Sequence, residues 1–462
     1  DDLSLNGRLD VSEDASLNGD LYVAGTITDG TASLTSGALS GATTINASST
    51  ISAADFTSSS GSYKTTGANI KLGKGTVGNS QSTDDIAIGH KASYTSQSGN
   101  GNISMGFEAG ITQTTSCIAI GASSGVSQTS NSIAIGSSSG ASQTSHSIAL
   151  GTDAGASQST DDIAIGRIAG LSQTGSGNVS MGYQAGYYQG GSSVAIGPSS
   201  GYTQSTNCVA MGSLAGGSTT GSQVANAVAV GHYAGYHDQS NAAVAVGVHS
   251  GQTGQGDNAV AVGSSAGRID QSSYSVAIGL SAGKTDQSAS SVAIGNEAGK
   301  YTQGWHSVAV GPFAGTSGQL HSSVAMGDYA GHLDQSGNSV AIGSSAGKVS
   351  QGENSVAIGL SAGQTDQSYN AVAIGPFAGV SGQLGYAVAV GSLAGNDTQG
   401  LGATAIGREA GQIRQGQYGT AVGVGAGYSD QESHTVAVGV NAGRVSQGIG
   451  SVCLGNGAGQ NT

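Results

Sequence analysis

Ser275-Val276-Ala277-Ile278-Gly279-Leu280-Ser281-Ala282-Gly283-Lys284-Thr285-Asp286-Gln287-Ser288-Ala289-Ser290 is followed at once by Ser291-Val292-Ala293-Ile294-Gly295. The pentad and its variants recur with their glycine at 73, 89, 106, 121, 136, 151, 166, 182, 197, 212 and 231, then every 16 residues to 455, which makes 25 repeats. Spacing is mostly 15 between 106 and 212, always 16 after 231, with one step of 19 that accommodates Gly217-Ser218-Thr219.

Each column of the repeat has its own chemistry. Ile, Val, Leu or Met precedes the glycine in all 25 repeats, Val or Ile stands two residues earlier except at Thr404 and Thr420, and the residue between is Ala at 21 positions and Ser at two. Alternation of period two with β-branched residues predicts a short strand. A second Gly follows four residues after the first in 23 repeats, and two glycines per period mark two tight corners. A Gln recurs three or four residues later, as at Gln128, Gln287, Gln303 and Gln447. The 15- and 16-residue repeats differ only in that corner: Ala156-Ser157-Gln158 against Lys284-Thr285-Asp286-Gln287.

A strand, a corner, a second extended piece and a return describe one coil of a parallel β-solenoid, or β-roll. The fold expected is therefore all-β, about 25 coils of 15–16 residues over 69–462, rising ~4.8 Å per coil to a rod on the order of 115 Å. The Gln column reads as a stacked amide ladder. Stacking also accounts for the 9% of charged residues, since like charges in one column would lie about 5 Å apart. With Val276 and Ile278 taken to point into the roll, Ala277 points out, and a uniformly small outer face calls for another chain packed against it. A homotrimer is the simplest such assembly.

Composition sets the function classes. Of 462 residues 82 are Gly and 3 Pro, and 13 Lys+Arg against 27 Asp+Glu give a net charge of −14, so no basic surface exists for nucleic acid. No run approaches the ~18 apolar residues of a membrane span, and residue 1 is Asp, so a processed piece without membrane insertion is expected. Residues 1–68 escape the period. Two segments, Ser4 to Val11 and Ser16 to Val23, each place Asn-Gly between apolar residues, and eight of the 27 acidic residues fall there, which reads as an irregular β fibre-shaft or neck segment.

The pentad, for example Ser291-Val292-Ala293-Ile294-Gly295, resembles the head repeats of YadA-like trimeric autotransporter adhesins over residues 69–459. That resemblance implies left-handed parallel β-rolls associated as trimers. The coils here are longer than that family's usual fourteen, and the Ala-Gly plus Gln signature of Leu280 to Gln287 differs. In this longer form the repeat is similar to those of phage and large-virus tail-fibre proteins that end in an intramolecular chaperone domain, and the Ser-Leu-Asn-Gly segment resembles viral fibre shafts. Neither family implies catalytic residues in this region.

The remaining candidates are few. Cys117 and Cys208 share a column six coils apart, roughly 29 Å, too far for a disulfide; with Cys453 they read as small buried residues. His146, His306 and His434 stand at equivalent positions before the strand, but their column is not otherwise His, no calcium-binding glycine-aspartate repeat occurs, and no metal or cofactor is assigned. Nothing gathers Ser, His and Asp, so the chain is read as non-enzymatic. Aromatic residues at corners (Tyr187, Tyr202, Tyr236, Tyr301, Trp305 and Tyr428, with Phe313 and Phe377) either cover the corner or stack on sugars. The reading is a structural fibre of a virion or cell surface, extracellular or on the virion, used in host attachment. Its rivals are an adhesin whose corners bind a host glycan or receptor, and a subunit of an end-to-end filament; an ice-binding solenoid is disfavoured because no Thr column runs along the rod.

Overall fold

A strand of three residues holds its backbone only when flanked on both edges, and the repeat supplies both flanks from the coils before and after it. The computed structural model describes residues 70–74, 85–95, 98–217 and 223–460. The shaft expected over 1–68 lies outside the described residues. Within them the chain is a parallel β-solenoid. Its principal sheet has 25 strands, one per repeat, each paired in parallel and in register with the next, as Val276↔Val292, Ala277↔Ala293 and Ile278↔Ile294. A second parallel sheet of 14 strands runs from His237–Gln239 to Val445–Gln447 and carries the Gln column. Only the 16-residue coils extend it fully; in the shorter coils it is reduced to the pair Tyr188–Gln189 and Thr203–Gln204 and to bridges such as Gln113↔Gln128.

Glycine is required where the backbone turns. Gly279 has φ +127°, and a Cβ there would stand 2.6 Å from the carbonyl oxygen of Gly295 in the next coil. Gly283 has φ +50° and faces inward, where a Cβ would meet the Gln287 amide and, at 3.2 Å, the Ala277 methyl. The first glycine lets coils stack and the second lets the walls approach.

That closeness reverses the expected orientation of the strand. Ala277 is fully buried, Ile278 is 39% exposed, and Val276 is half-buried on the same outer face. Along the whole sheet the Ala column points in and the Val/Ile columns point out. Four inward positions make each coil's core: Ser275, Ala277, Ala282 and Gln287 in the quoted repeat. The interior accommodates methyl groups and one flat amide, and a Val/Ile pair is too large for it. The small column is therefore the core itself, and no partner chain packs against it. Ala residues from Ala261 to Ala442 form one continuous stack, two per coil.

The Gln column is the polar half of that core. Gln287 Nε2 donates to Gln303 Oε1 at 3.1 Å and to its own coil's Val276 carbonyl at 2.9 Å, while its Oε1 accepts from Gln271 at 3.2 Å. Equivalent bonds recur from Gln113 to Gln447, and the buried Oε1 atoms of Gln173 and Gln431 have no protein partner. Where Ser replaces Ala in the strand its hydroxyl joins the ladder, Ser104 Oγ donating to Gln113 Oε1 at 2.8 Å and Ser180 Oγ to Gln189 Oε1 at 2.6 Å.

Two of the lengthened coils in the first half carry the same pair of buried residues. Asp85 and Asp162 occupy the inward position before their strands, and Oδ1 of each accepts from the backbone N–H of Asn102 or Asn178, at 2.7 Å in both cases. Each Asn in turn donates its Nδ2 to the carbonyl of Gly99 or Gly175 and accepts the next coil's N–H, from Cys117 at 2.9 Å or Ser193 at 3.1 Å. The Asp–Asn pair thus holds the inserted residues in register. Burial pushes the Asp162 carboxyl up to about 6, against hydrogen bonds from Asn178 and Ser159 that lower it.

Three outcomes follow from this architecture. Ala277→Leu overfills the interior and is expected to cost about 1–3 kcal/mol or more, read by chemical denaturation. Deleting Ser275 to Ser290, one whole period, should leave a folded rod ~4.8 Å shorter. Deleting only Gly283 to Ser290 removes Gln287 and a return, and should give a protease-sensitive, aggregating chain; equal tolerance of the two deletions would contradict the stacked-coil architecture. Because the carboxyl of Asp162 takes its proton near pH 6 when folded and near 3.8 when unfolded, its contribution is most favourable below about pH 4, declines as pH rises to about 6, and is level above. The stability difference between wild type and Asp162→Ser, measured by thermal melts across that range, should follow the same curve.

Candidate functional site

With the interior filled by Ala, Ser and Gln, all chemistry available to another molecule lies on two outer surfaces. The first is the strand face. Ile, Val, Leu and Met side chains repeat there in two parallel columns, represented by Val276 and Ile278, Val324 and Met326, Val372 and Ile374, with Thr404 and Thr420 interrupting the first column. Every member of both columns from Ile86 to Leu454 is half-buried or exposed. At ~4.8 Å per rung and a width on the order of 10 Å, the stripe presents roughly 1,000 Å², well above the few hundred Å² usual for an apolar patch on a monomer.

The second surface is the corner between the two sheets. Its outer positions stand two and five residues after the strand's glycine, and the first of these takes a left-handed backbone in non-glycine residues, as at Asp153 (φ 54°), Ile168 (φ 60°) and Gln184 (φ 54°). Aromatic side chains collect at these positions. Tyr187 and Tyr202 lie on neighbouring coils with rings parallel and centroids 4.9 Å apart, and Tyr188 meets Tyr187 edge-on at 4.6 Å. Desolvation, then the neighbouring Tyr188 and Tyr202, raises the Tyr187 phenol above its ordinary value. Beside the pair runs a groove of about 360 Å³ whose lining includes Asp153, Ile168, Leu171, Gln184 and both rings.

The other sequence candidates stand apart from that pair. Tyr236 packs edge-on against Tyr233 at 4.8 Å and His237 at 4.2 Å; Trp305 stacks on His321 at 5.3 Å; Tyr301 lies under Lys300 and Tyr428 under Arg444. Lys300 is held above its usual range by hydrogen bonds to Tyr301 and Glu297. Sequence reading missed Tyr233, His249, Tyr329 and His332, which build two further clusters: Tyr233 stacks on His249 at 5.3 Å, and Phe313 on Tyr329 at 4.7 Å with His332 edge-on to both. The signal was their position two or five residues after the strand's Gly, a column that becomes legible once the corner is known to face out.

Cys117 and Cys208 are buried and free, their thiols donating to the carbonyls of Thr129 at 2.8 Å and Val224 at 3.1 Å, and burial raises both above the usual thiol value. Cys453 is half-buried. His146, His306 and His434 are exposed on separate coils, His146 within 3.8 Å of Asp161. Among the described residues no three His, Cys, Asp or Glu side chains gather as metal ligands, and no helix is long and apolar enough to cross a membrane. A second groove, of about 320 Å³, is lined by the Arg414–Asp430 ion pair with Glu432 and Gln447. No protein-family model matches the sequence, and no characterised protein matches it.

Proposed function

We propose that the protein is a structural fibre of a virion or cell surface, built from three parallel copies of this chain that associate through their Val/Ile stripes and project an attachment surface. The observation that carries this reading is the stripe. A sheet whose backbone is paired coil to coil needs no partner to satisfy its hydrogen bonds, so two columns of large apolar residues on its outer face, interrupted only at Thr404 and Thr420 among the described coils, call for a partner by burial alone. In-register pairing of each strand with the next keeps the stripe continuous along the sheet, and copies of the same chain carry the same spacing. Parallel association then meets like rung with like rung over the whole length. Two columns suit three-fold packing, in which every chain has two neighbours and can turn one column toward each.

Mechanically, a solenoid with a filled interior is a spacer, and it holds whatever its corners carry at fixed intervals from a surface. Its chemistry is that of recognition and reach; the reading assigns it no catalytic step.

In dilute solution the assembly should have a mass near three times the 44.5 kDa of one chain. Paired changes on the stripe, Ile278→Asp with Ile294→Asp, should lower the solution mass measured by light scattering while the circular dichroism of the solenoid persists, because both side chains face outward. A wild-type chain that stays folded and monomeric at micromolar concentration would overturn the reading.

A further inference from the structure

The corner groove beside Tyr187 and Tyr202 spans several coils, and its walls differ in kind. Ile168 and Leu171 give it an apolar floor, the two stacked Tyr rings close one side, and Asp153 and Gln184 stand on the left-handed column that edges it. We infer that this groove is a saccharide-binding site that takes a neutral pyranose, its apolar ring face against Tyr187, whose other face is stacked on Tyr202, and its ring hydroxyls on Asp153 and Gln184. The reading goes beyond the fibre assembly and does not rest on it, since every lining residue comes from one chain.

The chemistry favours this class of ligand over others. A pyranose is amphipathic in the same sense as the groove: axial C–H bonds form an apolar face, and equatorial hydroxyls project around its rim. Aromatic rings take the first, with their negative faces toward the C–H hydrogens. A carboxylate accepts two such hydroxyls strongly, and an amide both donates and accepts, so together they fix orientation. No Lys or Arg lines the groove and the chain carries a net −14, which disfavours acidic sugars, sulfated glycans and phosphates. A volume of about 360 Å³ suits one or two hexose rings and lies at the small end of ligand sites. The groove also avoids the stripe: its edge starts two residues beyond the glycine that ends the strand, on the corner, so stripe-to-stripe packing and sugar binding use different columns.

The test uses the whole chain and a panel of neutral tetrasaccharides covering gluco-, galacto-, manno- and N-acetylhexosamine series, titrated by calorimetry and followed by saturation-transfer NMR. At least one member should bind with a millimolar or tighter Kd, its ring C–H protons receiving saturation from aromatic side chains. Tyr187→Ala and Asp153→Ala should each weaken that binding about tenfold, and Tyr428→Ala, at a separate corner, should leave it unchanged. Tyr187→Phe keeps the ring and should retain binding, which separates lost recognition from lost folding should Tyr187→Ala fail to fold. Absence of binding across the panel would overturn the inference, and so would binding that survives both Tyr187→Ala and Asp153→Ala.

Discussion

The structure depends on how little fits between the two walls of a coil. Each turn encloses two alanine methyls, one small pre-strand side chain and one glutamine amide, and the glutamine is the group that must be satisfied. Gln287 manages this by lying flat along the rod axis, one N–H to the amide of the next coil and the other to the carbonyl of Val276 in its own. A buried amide with no partner would cost about 1–3 kcal/mol, so a single coil on its own would be poor, and the ladder makes each coil's core conditional on its neighbours. Ser104 and Ser180, the two strand serines, sit where a hydroxyl can enter this ladder.

Once the interior is defined this way, the rest of the coil is constrained by parity. Ala277 must point in, so Val276 and Ile278 point out, and the largest apolar side chains of the repeat end on the surface. In most β proteins the β-branched face is the core; here the core is the face of single methyls, and the β-branched face is left for something else to cover. Hydrophobic stabilisation within one chain is correspondingly modest. Coil-to-coil hydrogen bonds supply cohesion along the rod, and in the proposed assembly burial of the stripe would supply it across the rod.

Much of this was legible in the sequence. The period, the short strand, the need for glycine at Gly279 and Gly283, the return carrying Gln287 and the parallel register all follow from column-by-column chemistry. The direction of the strand did not, because Val-Ala-Ile alternates equally well with either face inward, and size preference alone put Val and Ile inside. The other inward columns decide it. The columns of Ala282 and Gln287 are small or amide-bearing along the described rod, that of Ser275 is small or polar, and only Ala277 matches a space of that width. The aromatic clusters were partly visible, Tyr187 and Tyr202 as corner residues, but their stacking requires knowing that positions one period apart lie on top of one another on the same outer column. The groove beside them could not be read at all, since its residues are spread from Ser138 to Tyr202 and carry no motif.

Repetition fixes the four inward columns of each coil and leaves the corners free, and variation is concentrated there. Three of the inward columns hold Ala, Ser or Gln almost without exception, because one wrong residue would disturb the coils on both sides, and the fourth, before the strand, also admits Asp85, Asn102, Cys117 and Thr435. The outer corner position two residues after the strand's glycine holds Ser138, Asp153, Ile168, Gln184, Tyr233, Phe313 and Tyr329 in a backbone geometry that does not change, φ between 53° and 60°. A solenoid of this kind therefore separates its two tasks spatially. The inner columns bear the demands of folding, and the corner columns diversify residue by residue, each side chain held on a left-handed backbone. Recognition built on such a surface changes by substitution within a column, with ~4.8 Å as its unit of spacing.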